Sequence, residues 1–121
     1  MELHAMTLLD NTQLALESAM SGSMLRQTLL NNNMANANTP GYKPQDVNFQ
    51  ATLGAAINSG QSPEAVSFQP VTINQTTGAD GNGVSADQTS AQIAENGLLY
   101  QDLTQIAAAR DQILKTAIGA A

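Results

Sequence analysis

The chain has 121 residues, a formal net charge of −6 and no cysteine. One domain is the most that this length supports. Lacking cysteine, the chain has no disulfide, thiolate chemistry or sulfur-ligated metal. Its basic residues are Arg26, Lys43, Arg110 and Lys115, too scattered to form a phosphate-neutralising patch, so no nucleic-acid partner is expected. Only 12% of the residues are charged and there is no Trp. The aromatics are Tyr42, Phe49, Phe68 and Tyr100, and much of the apolar content is Ala, which buries little area per residue. Such a chain packs against copies or partners more readily than it closes on itself. No stretch is long and apolar enough for direct membrane insertion. The start, Met1-Glu2-Leu3-His4, lacks the basic flank and apolar run of a cleavable signal.

The first predicted element is a long helix over 7–38. Leu9, Leu16, Met20 and Met24 recur at helical spacing beside a second row of Leu25, Leu29, Leu30 and Met34. Thr7 with Asp10, or Asp10 with Gln13, supplies a start cap. Gly22 reads as a weak point, worth about 1 kcal/mol against Ala. Asn36, Asn38 and Thr39 then run into Pro40-Gly41. Pro40 turns Thr39 away from helix, and Gly41 accepts positive φ, so the chain turns there.

The segment 39–84 holds Pro44, Pro63 and Pro70 and most of the glycines, and is expected to be irregular. Val66-Ser67-Phe68, resuming at Val71-Thr72-Ile73, suggests a short extended strand that Pro70 confines to an edge. Asp80-Gly81-Asn82-Gly83 superficially matches the start of a calcium loop. Counted from Asp80, the sixth position is Ser85 and the twelfth Ala91, where Gly and an acidic residue are required, so a plain turn is the reading.

A second long helix is predicted over 85–118. Ser85 and Gln88 fit a capping box, Asp87 suits a helix start, and Lys115 with Gly119 suits its end. The apolar positions are Ile93, Leu99, Tyr100, Leu103, Ile106, Ala107, Ile113, Leu114, Ala117 and Ile118. Each terminal helix reaches roughly 40–50 Å. The fold class is therefore mainly α: two long terminal amphipathic helices packed as a coiled-coil-like pair, joined by an irregular middle. A single such pair leaves outer apolar surface that more copies would cover. Leu16, Met20, Met24, Leu30, Leu99, Tyr100, Leu103, Ile106, Leu114 and Ile118 are the expected helix-packing and assembly residues.

No catalytic, cofactor or metal site is expected. His4 is the sole histidine, without a carboxylate cluster beside it. Asn74-Gln75-Thr76 is a glycosylation triplet too short to carry weight.

The run Asn32-Asn33-Met34-Ala35-Asn36-Ala37-Asn38-Thr39-Pro40-Gly41-Tyr42-Lys43 resembles the N-terminal signature of the flagellar rod and hook protein family. Within it Asn36, Asn38, Thr39, Pro40, Gly41, Tyr42 and Lys43 form the signature turn. Asp46-Val47-Asn48-Phe49, Ala94-Glu95-Asn96, Leu99-Tyr100 and the ending Leu114-Lys115-Thr116-Ala117-Ile118 resemble the proximal-rod branch. Gly97 stands where that pattern has Ala. The resemblance implies a structural, non-enzymatic rod subunit of the flagellar basal body, exported unfolded by the flagellar type III export gate without a cleaved signal. It implies a periplasmic rod in which the terminal helices pack into a tube. The implied partners are other copies of the chain, the rod-base adaptor FliE, the membrane-ring protein FliF and rod subunits such as FlgC. Phe49 and Leu53, in Phe49-Gln50-Ala51-Thr52-Leu53, resemble the aromatic-x-x-x-aliphatic element that docks early substrates on that gate. The other reading of the pair is a local anchor on one side of a helical turn. The alternatives to the main reading are another rod subunit such as FlgC and, in a different class, a small acidic helical export chaperone or adaptor.

Overall fold

A computed structural model describes residues 2–74 and 77–119, with side chains from Asn11 onward. The first helix, α1 (Glu2–Ala35), leads through the signature turn to a two-residue strand, β1 (Gln45–Asp46). A short helix α2 (Phe49–Asn58), a 3-10 turn (Pro63–Ala65) and strand β2 (Val71–Thr72) follow, and α3 (Ala86–Ala117) completes the chain. The mainly helical architecture with two long terminal helices is as the sequence predicts. Three details differ.

First, α1 begins at Glu2 rather than at residue 7. Glu-Leu-His-Ala-Met carries no breaker, so the helix runs through Thr7 and Asp10 instead of starting there. The side chains of His4, Thr7, Leu9 and Asp10 lie outside the described residues, as do Gln75 and Thr76 of the glycosylation triplet. The helix ends at Ala35, and Asn36, Ala37 and Asn38 are already turn.

Second, the middle segment is built rather than irregular. Helix α2 is capped by Asn48, whose side chain accepts the Ala51 N–H at 3.1 Å. It buries Phe49, Leu53 and Ala56 on one side. The Phe68 ring meets Phe49 edge-on, with centroids 6.4 Å apart. Third, of the two extended patches only Val71-Thr72 forms a strand. It pairs antiparallel with β1, Gln45 opposite Thr72 and Asp46 opposite Val71. Val66-Ser67-Phe68 is not in a strand. Phe68 instead turns toward α2.

Two sides of α1 are used. Gly22, Arg26, Leu29 and Asn33 recur at helical spacing on the side that meets the middle segment. Ser23, Gln27, Leu30 and Met34 lie on the side that meets α3. Among the described residues the buried apolar side chains are Leu29, Leu30, Val47, Phe49, Leu53 and Ala56, a small core centred where α1 meets α2.

Gly22 is a packing requirement, not a defect. A Cβ there would lie 2.5 Å from Cβ and 2.8 Å from Cγ of Phe49. Phe49 is held by its own helix and is 2% exposed, so it has no room to withdraw. Gly22→Ala gains about 1 kcal/mol of helix propensity. The overpacking penalty exceeds this, and the variant should lose roughly 1–2 kcal/mol in a urea melt followed by circular dichroism. A more stable variant would contradict the packing described.

Candidate functional site

The signature turn is where the two long helices and the middle segment meet. Gly41 has φ of 73°, the left-handed conformation its neighbours disfavour. This folds Tyr42 back toward the last turns of α1. Tyr42 Oη donates to Asn33 Oδ1 at 3.2 Å, and the same oxygen accepts the Gln45 N–H at 3.0 Å. Asn33 Nδ2 donates to the Gln45 carbonyl at 2.8 Å. Asn33, 3% exposed, thus pins the strand start against the helix end.

The other side of the turn is held by the loop before α3. Asn82 Nδ2 donates to the carbonyls of Asn36 (2.8 Å) and Thr39 (2.6 Å). Its Oδ1 accepts the Val84 N–H at 2.7 Å. The Gly41 N–H donates to Asp80 O at 2.9 Å, and the Gly83 N–H to Tyr42 O at 3.0 Å. Asp80-Gly81-Asn82-Gly83 is therefore a clasp on the signature turn, supplying donors and acceptors that a plain surface turn would leave to water.

Two further polar ties fix the elements. Arg26 makes a bidentate pair with Asp46, Nε to Oδ1 at 2.9 Å and Nη2 to Oδ2 at 3.3 Å, joining α1 to β1. Between the long helices, Asn96 is 1% exposed. Its Nδ2 donates to the Ser23 carbonyl at 2.9 Å and to Gln27 Oε1 at 2.8 Å, and its Oδ1 accepts from the Ser23 hydroxyl at 3.3 Å. Ser85 caps α3 as expected, its hydroxyl accepting the Gln88 N–H at 3.4 Å, and the helix passes Gly97 without a break.

The expected packing residues divide. Leu30 is buried, and Leu16, Met20, Leu99, Tyr100, Leu103 and Leu114 are half-buried. Leu103 and Leu114 continue the helix face of Asn96. Met24 is 58% exposed, Ile106 49% and Ile118 78%, so these point outward. Leu98 and Ile113 are exposed too. Phe49 and Leu53 are both buried, which places them as the anchor of α2 in the folded chain. Asn33, Asn82 and Asn96 were not expected as structural residues. Their type is common in surface turns, and their partners are distant in sequence.

No protein-family model matches the chain. Relatives are nonetheless clear. A flagellar basal body rod protein FlgB of Cereibacter sphaeroides is 35% identical over 105 aligned positions, covering 77% of this chain and 82% of that protein. The FlgB of Escherichia coli K12 is 30% identical over 117 positions, covering 78% and 85%. The chain belongs to the FlgB family of flagellar basal body rod proteins. The FlgB of Bacillus subtilis, 29% identical, aligns over 93% of this chain and 97% of its own length. An alignment of that span takes in the middle segment as well as the two helices, so the FlgB likeness extends past the signature turn.

Removing the Asn82 side chain leaves the Val84 N–H without its acceptor and takes one donor each from the Asn36 and Thr39 carbonyls, which keep the Thr39 and Tyr42 N–H groups. Asn82→Ala should cost roughly 1–3 kcal/mol in a chemical melt. A cost no greater than that of an exposed substitution such as Asn58→Ala would show that the clasp does not hold the turn.

Proposed function

We propose that this member of the FlgB family is a structural subunit of the flagellar basal-body rod, its whole length 1–121 working as one rod unit. Its partners in this reading are copies of itself, the adaptor FliE, the membrane-ring protein FliF and neighbouring rod subunits such as FlgC. The signature turn, from Asn36 to Lys43, fixes the helix pair, and the outward helix faces make the inter-subunit contacts. The reading assigns the chain a mechanical role in the drive shaft and no catalysis. An export chaperone would have no use for the clasped turn.

The observation that carries the reading is the apolar surface left on the helix pair. Leu98, Ile106 and Ile113 are exposed on α3, Ile118 just past its end, and Met24 on α1. The chain exposes 7877 Å², against about 6,200 Å² for a compact monomer of this mass. Surface of that kind favours burial in an assembly. No helix among the described residues is long and apolar enough to cross a membrane.

The test separates folding from assembly. Ile106→Asp combined with Ile113→Asp should leave the helical signal of the chain unchanged, because both side chains already face outward. The same variant should abolish motility and be missing from purified basal bodies. Motile cells with normal rods would refute the assignment of this face.

Export is proposed to use Phe49 and Leu53 in the unfolded chain, where the folded anchor does not yet hide them. A pocket taking one aromatic and one aliphatic side chain suits this spacing. Phe49→Ala with Leu53→Ala should then remain in the cytoplasm of a strain unable to complete its rod. A normal periplasmic level would leave the pair with its anchor role alone.

A further inference from the structure

Two of the buried amides that hold the fold are followed by glycine: Asn82-Gly83 and Asn96-Gly97. This is the dipeptide most prone to spontaneous deamidation, because glycine puts no side chain in the way of its own backbone nitrogen. That nitrogen, losing its proton, attacks the Asn Cγ. A C–N bond forms, Nδ2 leaves as ammonia, and a five-membered succinimide closes. Water then opens the ring at either carbonyl, giving aspartate or isoaspartate.

Folding opposes the attack at both places, by different means. At Asn82 the attacking group is already committed, since the Gly83 N–H donates to Tyr42 O at 3.0 Å. The side chain is committed as well, its Nδ2 held by the Asn36 and Thr39 carbonyls and its Oδ1 by the Val84 N–H. At Asn96 the protection comes from the helix. Ring closure needs the next nitrogen to swing onto Cγ, whereas α-helical ψ and the i−4 hydrogen-bond ladder hold Gly97 in place within α3. Asn96 is also nearly sealed from water at 1% exposure.

We propose that Asn82 and Asn96 are deamidation sites that folding closes, so that their conversion records time the chain spends unfolded and, once made, prevents correct folding. The second half follows from the partners. Aspartate has no N–H to give. At position 82 it would set a carboxylate against the Asn36 and Thr39 carbonyl oxygens. At position 96 it would set one against the Ser23 carbonyl and Gln27 Oε1. A buried charge facing acceptors is among the costliest replacements a fold can take.

The inference rests on the fold and not on the rod assignment, and its test needs no flagellum. The purified chain is incubated at neutral pH in buffer and, in parallel, in concentrated urea, and peptide mapping by mass spectrometry follows each site. An unstructured peptide carrying Asn-Gly, incubated in the same solutions, serves as the reference, because the Ser59 N–H after Asn58 is itself held by the Ala55 carbonyl at 3.1 Å. In urea, positions 82 and 96 should convert about as fast as the peptide. In buffer their rates relative to the peptide should fall by tenfold or more. Gly83→Ala and Gly97→Ala should each slow conversion in urea at the adjacent asparagine alone. Asn82→Asp and Asn96→Asp, made directly, should each lower the melting midpoint of the chain, whereas Asn58→Asp should not. Equal relative rates in buffer and urea would overturn the proposal, as would aspartate variants that melt like the parent.

Discussion

The amide of Asn82 joins two points of the turn after α1 to the loop before α3. Its donors reach the Asn36 and Thr39 carbonyls, 46 and 43 residues earlier in the chain. Together with the backbone bonds from Gly41 to Asp80 and from Gly83 to Tyr42 it keeps the turn from being a flexible hinge between two long helices. With it, the end of α1 and the start of α3 are held side by side, which sets the antiparallel register of everything beyond. The buried ties of Asn96 to Ser23 and Gln27 then fit only that register. A polar lock of this kind specifies one alignment more sharply than an apolar seam of interchangeable Ala and Leu, because a slip by one turn leaves buried groups unpaired.

This division of labour explains the composition. Most of the apolar core lies at the junction of α1 and the middle segment, where Phe49 sits against Gly22 and Phe68, and Leu30 extends it toward α3. The long helices contribute few buried large side chains to each other. Their apolar residues are largely spent outward, on the stripe that includes Ile106 and Ile113. The fold thus has a root with the clasped turn and α2 at its centre, and leaves exposed the helix faces proposed above for assembly. Membership in the FlgB family supplies the setting in which such faces are used.

What the sequence made legible was set by local rules. Ser85 with Gln88 announced the start of α3, Pro40-Gly41 announced the turn, and the spacing from Leu16 to Leu30 announced α1. Helix α2 was visible only as a helical turn under Phe49 and Leu53, because it is short, contains Gly54 and lies between prolines. Its signal was nevertheless present, in the Asn48 cap, the Phe49-Leu53-Ala56 spacing and Gly60 beyond the end. Gly22 was misread because helix propensity is local, while the ring that needs the space lies 27 positions away in the sequence. The signature turn was visible as a resemblance. Its clasp was not, since Asp80-Gly81-Asn82-Gly83 looks like any polar loop until its partners are known. Ile106 and Leu103 were likewise grouped on one helix face, and only the direction of α1 separated them.

Amide hydrogen exchange tests the clasp most directly. The Gly41 and Gly83 amides donate across the turn to Asp80 and Tyr42, the Ile73 amide to Pro44, and those of Gln45 and Val84 to the Asn33 and Asn82 side chains. All of them lie outside the long helices. If the clasp is the structural root, these amides should exchange as slowly as those in the middle of α3. If they exchange as freely as an exposed loop while α1 and α3 stay protected, the turn is a hinge and the account is wrong.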